Sequence, residues 1–278
     1  MANYTAADIK ALRERTGAGM MDVKKALDEA NGDAEKAMEV IRIKGLKGAT
    51  KREGRSTAEG LIAARVNDGV GVMIEVNCET DFVAKSAPFI EFGDKVVTAA
   101  VDSGAADVDA LLGYDVDGKP LSEHVIEAGA LLGEKVKLRR IARVEGKTVD
   151  AYLHKTSKDL PAQVGVLFAV DGEGSEAKEA AHDVAVHAAA YNPTYISRDE
   201  VPAELVENER RIADETARAE GKPEQALTKI VEGRLTGFFK EGVLLDQAFA
   251  KDAKKSVAQV LQEAGVTATG LARFRVGS

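Results

Sequence analysis

An internal repeat constrains this chain of 278 residues more than any other feature of its sequence. Val70-Gly71-Val72-Met73-Ile74-Glu75-Val76 aligns with Val164-Gly165-Val166-Leu167-Phe168-Ala169-Val170, and an Ala/Val-rich helical pattern follows each run, near residues 96–101 and 184–190. Each copy closes with a helix leading into a last strand: residues 122–133 into 136–144, and residues 256–265 into 271–276. Such self-similarity indicates one supersecondary unit written twice. Strand-length apolar runs alternating with helical periods predict an α+β fold, with a duplicated core built on small antiparallel sheets.

Aligning the copies shows what each one adds. Val76 to Val96 spans 20 residues but Val170 to Val184 only 14, so the first copy carries about six extra residues where Thr80-Asp81-Phe82-Val83 sits. Residues that closing the unit does not require are candidates for function. Upstream, residues 61–66 and 70–76 flank Asn67-Asp68-Gly69 and read as a hairpin, so the sheet delivers Thr80-Asp81-Phe82 to a loop at its edge. Thr80 or Asp81 can cap a short helix there, leaving Phe82 in its first turn. Pattern alone favours a satellite core for Phe82 over exposure as an anchor for a protein partner. The second copy has its own insertion, residues 202–240. Two charge-rich helical patterns joined by Gly221-Lys222-Pro223 predict an antiparallel helical hairpin, with Leu205, Ile212 and Ala217 facing Leu227, Ile230, Val231 and Leu235. A narrow apolar seam of this kind needs no partner to explain it.

Ahead of the repeat, residues 5–44 contain three short helical patterns. Thr5 and Asp8 form a capping signature, Thr16-Gly17-Ala18-Gly19 makes a turn, Asn31-Gly32 stops the second helix and Asp33 caps the third. Residues 45–55 are basic and glycine-rich without apolar period, which predicts a linker. The expected organisation is a three-helix module over residues 1–45, a basic linker over 46–55, core half one over 56–146, and core half two over 147–278 with the hairpin inside it.

Composition narrows the function. A net charge of −8 argues against a general polyanion binder, while Arg42, Lys44, Lys47, Lys51, Arg52 and Arg55 leave open a local ribosome- or RNA-binding patch. A solvated tether is the favoured reading of that run, because no aromatic is interleaved for base stacking. The single cysteine, Cys78, fits a reducing compartment and a small strand-end residue. No secretory leader and no membrane-spanning run is evident, which predicts a soluble cytoplasmic protein. His124, His154, His182 and His187 are dispersed, and Gly146-Lys147-Thr148 lacks the upstream glycine of a phosphate-binding loop. No enzymatic constellation is present, and neither a cofactor nor a metal is expected.

Two motifs sharpen this reading: residues 12–27, Leu-Arg-Glu-Arg-Thr-Gly-Ala-Gly-Met-Met-Asp-Val-Lys-Lys-Ala-Leu, and residues 75–85, Glu-Val-Asn-Cys-Glu-Thr-Asp-Phe-Val-Ala-Lys. Both resemble signatures of bacterial elongation factor Ts, the guanine-nucleotide exchange factor for the GTPase elongation factor Tu, and the similarity extends over nearly the whole chain. The resemblance implies that the N-terminal module is similar to a ubiquitin-associated domain and docks on the GTPase through Arg13, Met20, Met21 and Lys24. It implies that Thr80, Asp81, Phe82 and Val83 form the loop that disturbs the nucleotide's magnesium site. His154, within Tyr152-Leu153-His154, is expected to reach the GTPase's distal domain, and Leu132-Gly133 resembles a contact pair in which Leu replaces Ile. Some relatives continue beyond Ser278 into a C-terminal helical module, a contact this chain is expected to do without. A holding or interaction protein that never touches nucleotide chemistry is a third reading.

Overall fold

A computed structural model describes residues 3–16 and 18–278 of the protein. The first three helices are α1 (Ala6–Thr16), α2 (Met20–Glu29) and α3 (Ala34–Arg52). Thr5 caps α1 through a reciprocal bond set with Asp8, and the Asp33 carboxylate accepts from the Glu35 and Lys36 amides at the start of α3. Leu12, Val23, Ala26, Leu27, Ala37 and Ile41 form the small core between the three. Of the turn that joins α1 to α2, Gly17 lies outside the described residues.

The expected linker is a correction. Residues 46–52 continue α3 without a break. Glycines lower helix propensity, and tertiary packing overrides that cost here. A Cβ on Gly45 would lie 2.2 Å from the Ala130 carbonyl oxygen, so the bare glycine lets α3 cross tightly over a core helix. The Arg52 guanidinium donates back to the Gly45 carbonyl at 2.7 Å.

The first copy of the unit runs β1 (Glu59–Asn67), β2 (Val70–Cys78), α4 (Asp81–Ala84), α5 (Ala87–Ser103), α6 (Val108–Gly113), a ribbon of β3 (Asp115–Val116) and β4 (Lys119–Pro120), α7 (Leu121–Leu132) and β5 (Lys137–Glu145). Asp68 and Gly69 both take positive φ in the β1–β2 turn, which matches the right-handed twist of a hairpin. The second copy runs β6 (Thr148–His154), β7 (Val164–Val170), α8 (Ser175–Tyr191), α9 (Ala203–Ala219), α10 (Glu224–Gly242), a ribbon of β8 (Ala248–Phe249) and β9 (Asp252–Ser256), α11 (Val257–Glu263) and β10 (Ala268–Arg275). Both sheets are antiparallel and three-stranded, ordered β1-β2-β5 and β6-β7-β10.

The sheets pack face to face. Ile62, Ala64, Met73, Val144, Leu167, Ala169 and Phe274 fill the space between them, while α5 covers the outer face of the first sheet and α8 that of the second. β2 and β7 are therefore central in their sheets and covered on both faces, which accounts for their near-continuous apolar runs. The repeated Val-Gly-Val gains a structural reason. A Cβ on Gly71 would fall 2.8 Å from Val149 Cγ1, and one on Gly165 would fall 2.6 Å from Ile62 Cγ2. Each glycine is where its central strand comes closest to the other sheet.

Helices α9 and α10 fold back on one another around Ala213, Ala217, Leu227, Val231 and Leu235. Ala213 occupies the seam where Ile212 was expected, and Ile212 is exposed. Ala217 lies in the seam as expected, and Ala213, four residues before it, shares its face, whereas Ile212, five before it, does not.

Candidate partner-binding site

Strand β2 ends at Cys78, paired with Glu59 at the last position of the ladder. The next two amides, of Glu79 and Thr80, have no strand to bond, and a distant carboxylate takes both. Glu134 Oε2 accepts from Glu79 N at 2.9 Å and Thr80 N at 3.0 Å, while its Oε1 accepts from the Thr80 hydroxyl at 2.5 Å. Glu79 reciprocates, accepting from the Lys135 amide at 2.6 Å and from Arg55 at 3.1 Å. Two carboxylates thus cross between the end of β2 and the turn after α7.

Thr80, so held, is the N-cap of α4, its Oγ1 also accepting from the Val83 amide at 3.4 Å. Val83 and Ala84 bury the inner side of this short helix in the first core. Phe82 points the other way. It is 73% exposed, so the expectation of a satellite core fails: one turn of helix has too few positions for two buried apolar faces, and Val83 with Ala84 takes the inner one. Lys85 places its ammonium 4.5 Å from the Phe82 ring centroid and 3.3 Å from Asp81 Oδ2, so the ring carries a cation on its flank and an acid beside it. Cys78, beneath the loop, is fully buried; burial, then the nearby Glu134 charge, push its thiol up, which keeps it protonated and unreactive.

The other candidates fall in three places. Arg13, Met20, Met21 and Lys24 are all exposed on α1 and α2, with Met20 at 58% and Met21 at 62%. The module's own docking onto the core goes through α3 instead, where Gly45 meets Ala130 and Arg42 pairs with Glu127. An open groove of about 650 Å³ runs beside that contact, between Met38 and Arg42 on one side and Phe92 and His124 on the other. Leu132 lies at its floor, only 5% exposed and part of the first core, so its side chain is chiefly a packing residue. Gly133 is exposed and left-handed, at φ 74°, ending α7. His154 is exposed at the end of β6, with its Nδ1 3.1 Å from the Tyr152 hydroxyl. The structure brings the Gly133 turn to the Thr80–Phe82 loop.

Much of the basic run is committed internally. Arg42 pairs with Glu127, Lys44 with Glu29 and Arg55 with Glu79, and Arg52 bonds the Gly45 carbonyl. The side chains of Lys47 and Lys51 lie outside the described residues.

Glu79 stands within the motif of residues 75–85 but was given no role there, and Glu134 was not singled out. Glu134 is 54 residues from Thr80, and only its place immediately after Gly133 pointed toward it. Among the described residues, no helix is long and apolar enough to cross a membrane, and no group of three or more His, Cys, Asp or Glu side chains is arranged to hold a metal ion.

The site thus presents a solvent-facing aromatic on a loop clamped at its base. A family model described as Elongation factor TS matches residues 79–278. Relatives named Elongation factor Ts from Renibacterium salmoninarum, Micrococcus luteus and Kineococcus radiotolerans are 81%, 75% and 54% identical over 278 residues, with the whole of both chains covered in each case. The chain belongs to the elongation factor Ts family, translation elongation factors that serve protein biosynthesis as nucleotide exchange factors.

Proposed function

We propose that this protein binds the GTPase elongation factor Tu and accelerates GDP release by disrupting the contacts that hold the nucleotide's magnesium and phosphates. The observation that carries this reading is the 73% exposure of Phe82 on a helix whose first turn is already capped and anchored. The factor and the metal–nucleotide complex favour different conformations of one GTPase. Each therefore weakens the other's binding by the same factor. Phe82 is buried only in the conformation whose magnesium site is broken, and full burial of such a ring contributes about 1.5–3 kcal/mol. Exchange is accelerated without changing the equilibrium between nucleotides, and the factor itself contacts no nucleotide.

The remaining surfaces serve docking. The N-terminal three-helix module, of the ubiquitin-associated type, offers Arg13, Met20, Met21 and Lys24 to the nucleotide-binding domain. Gly133, with Leu132 beneath it, adds a contact near the exchange loop, and His154 on the second sheet reaches the distal domain. The alternative of an RNA-binding linker is less well supported, because Arg42, Lys44 and Arg55 each have an acidic partner within the chain.

Release of fluorescent GDP from the purified GTPase tests the reading. Phe82→Ala should fold normally and lower the stimulated rate by about tenfold or more, since 1.4 kcal/mol corresponds to a factor of ten. Asp81→Ala should lose less, because that carboxylate is half-exposed and orients Lys85. A Phe82→Ala protein as fast as the wild type would remove the wedge.

A further inference from the structure

We propose that Glu134 is a positioning residue for exchange, acting through Phe82 by fixing the base of the loop that carries it; this rests on the exchange-loop reading above. Its carboxylate is the only protein group seen to accept from the Glu79 and Thr80 amides among the described residues, and it also accepts from the Thr80 hydroxyl. Two of those three bonds set the backbone and side chain of Thr80, which caps α4, and the third holds the residue before it. Phe82 lies two residues further on, in the first turn, so its direction follows from the cap.

The mount of Glu134 is itself stiff. Gly133 turns the chain left-handed at the end of α7, and the Glu134 carbonyl then sits so close to the helix that a Cβ on Gly129 would be 2.8 Å from it. Lys135 is held by Glu79, and Arg55, just beyond α3, bonds the same Glu79 carboxylate. The end of α3, the turn after α7 and the exchange loop therefore share one set of charge-assisted bonds, of the kind that hold geometry well. Residue 133 also acquires a purpose besides contact with a partner: its left-handed turn aims the carboxylate that follows.

The test is GDP release across a range of factor concentrations, with Phe82→Ala, Glu134→Ala, Glu134→Gln and the Phe82→Ala/Glu134→Ala double variant, all in the full chain. Glu134→Ala should lower the maximal rate roughly tenfold, the order expected from losing hydrogen bonds to a charged acceptor. Its half-saturating concentration should stay within about twofold of the wild type, because docking surfaces are unaltered. Glu134→Gln keeps an acceptor for both amides and should restore most of the rate. The double variant should be no slower than Phe82→Ala alone, since a residue acting through the ring has nothing left to position. Losses that multiply in the double variant, or a raised half-saturating concentration with an unchanged maximum, overturn the proposal in favour of a general structural role. A slow Phe82→Ala beside an undiminished Glu134→Ala overturns this proposal alone, whereas an undiminished Phe82→Ala overturns the exchange-loop reading with it. Should Glu134→Ala fail to fold, Glu134→Asp draws the carboxylate back by one methylene while leaving the Thr80 cap in place, and its own non-additivity with Phe82→Ala gives the same decision.

Discussion

The two copies of the core close in the same way with the roles reversed. In the first, the turn after α7 supplies the carboxylate, and Glu134 accepts from the amide and hydroxyl of Thr80 at the end of β2. In the second, the strand end supplies it. Asp171, following β7, accepts from the Thr267 amide and hydroxyl, each at 2.7 Å, and Thr267 lies in the turn after α11. A clamp between the end of the central strand and the turn before the last strand therefore belongs to the unit, not to the Thr80–Phe82 loop alone. What distinguishes the first copy is the insertion of α4 just beyond its clamp. A joint that only closes the sheet in one half has, in the other, become the footing of a projecting ring.

Four substitutions probe how far the halves differ. Glu75 in β2 has Ala169 as its counterpart in β7, and it is fully buried. Its carboxylate pairs with Arg140 at 2.6 Å and accepts from the Asn77 side chain and the Gly277 amide. Glu75→Ala should produce the largest loss, about 3 kcal/mol, the low end for breaking a buried pair because Arg140 keeps some access to water; urea unfolding measures it. Gly165→Ala and Gly71→Ala come next, at about 1–3 kcal/mol each by overpacking between the sheets. Near-equal midpoints for the two would show that the sheet interface is symmetric; a tolerant Gly71 would show that the first half can yield. Asp171→Ala should have the smallest effect on stability and none on GDP release, in contrast with Glu134→Ala. The Thr267 amide and then its hydroxyl hold the Asp171 carboxyl below the usual aspartate range. Its contribution is therefore complete above an unfolded pKa of about 3.9 and is lost as pH falls through the lower folded value. An acid titration of the wild type should accordingly contain a component that Asp171→Ala lacks.

The duplication was legible because its signal is periodic and local. The Val-Gly-Val runs, the hairpin at Asp68-Gly69 and the helix–strand endings of each copy all stand where the pattern put them, within a residue or a few. Thr80 as a cap was legible for the same reason. Two kinds of feature were not. The continuation of α3 through Gly45 and Gly48 depends on a neighbour, Ala130, whose nearness no window around residue 45 could reveal. The Glu134 clamp joins residues more than fifty positions apart. Pattern alone did not show that Leu132 is buried and Phe82 exposed, because both are large apolar residues and only the packed structure decides which of them has room inside; the motif of residues 75–85 had already pointed to Phe82. In the hairpin, Ala213 rather than Ile212 shares the face of Ala217, and both are apolar, so composition at those two positions did not distinguish them.

Strand β2 lies in the middle of its sheet, roofed by a helix and floored by the other sheet. Interiors packed to that degree are hardly compressible. If the ring of residue 82 is the wedge proposed above, a load arriving there would be passed along a backbone with little compliance, so recoil within the factor would be small and the deformation would be left to the surface being pressed.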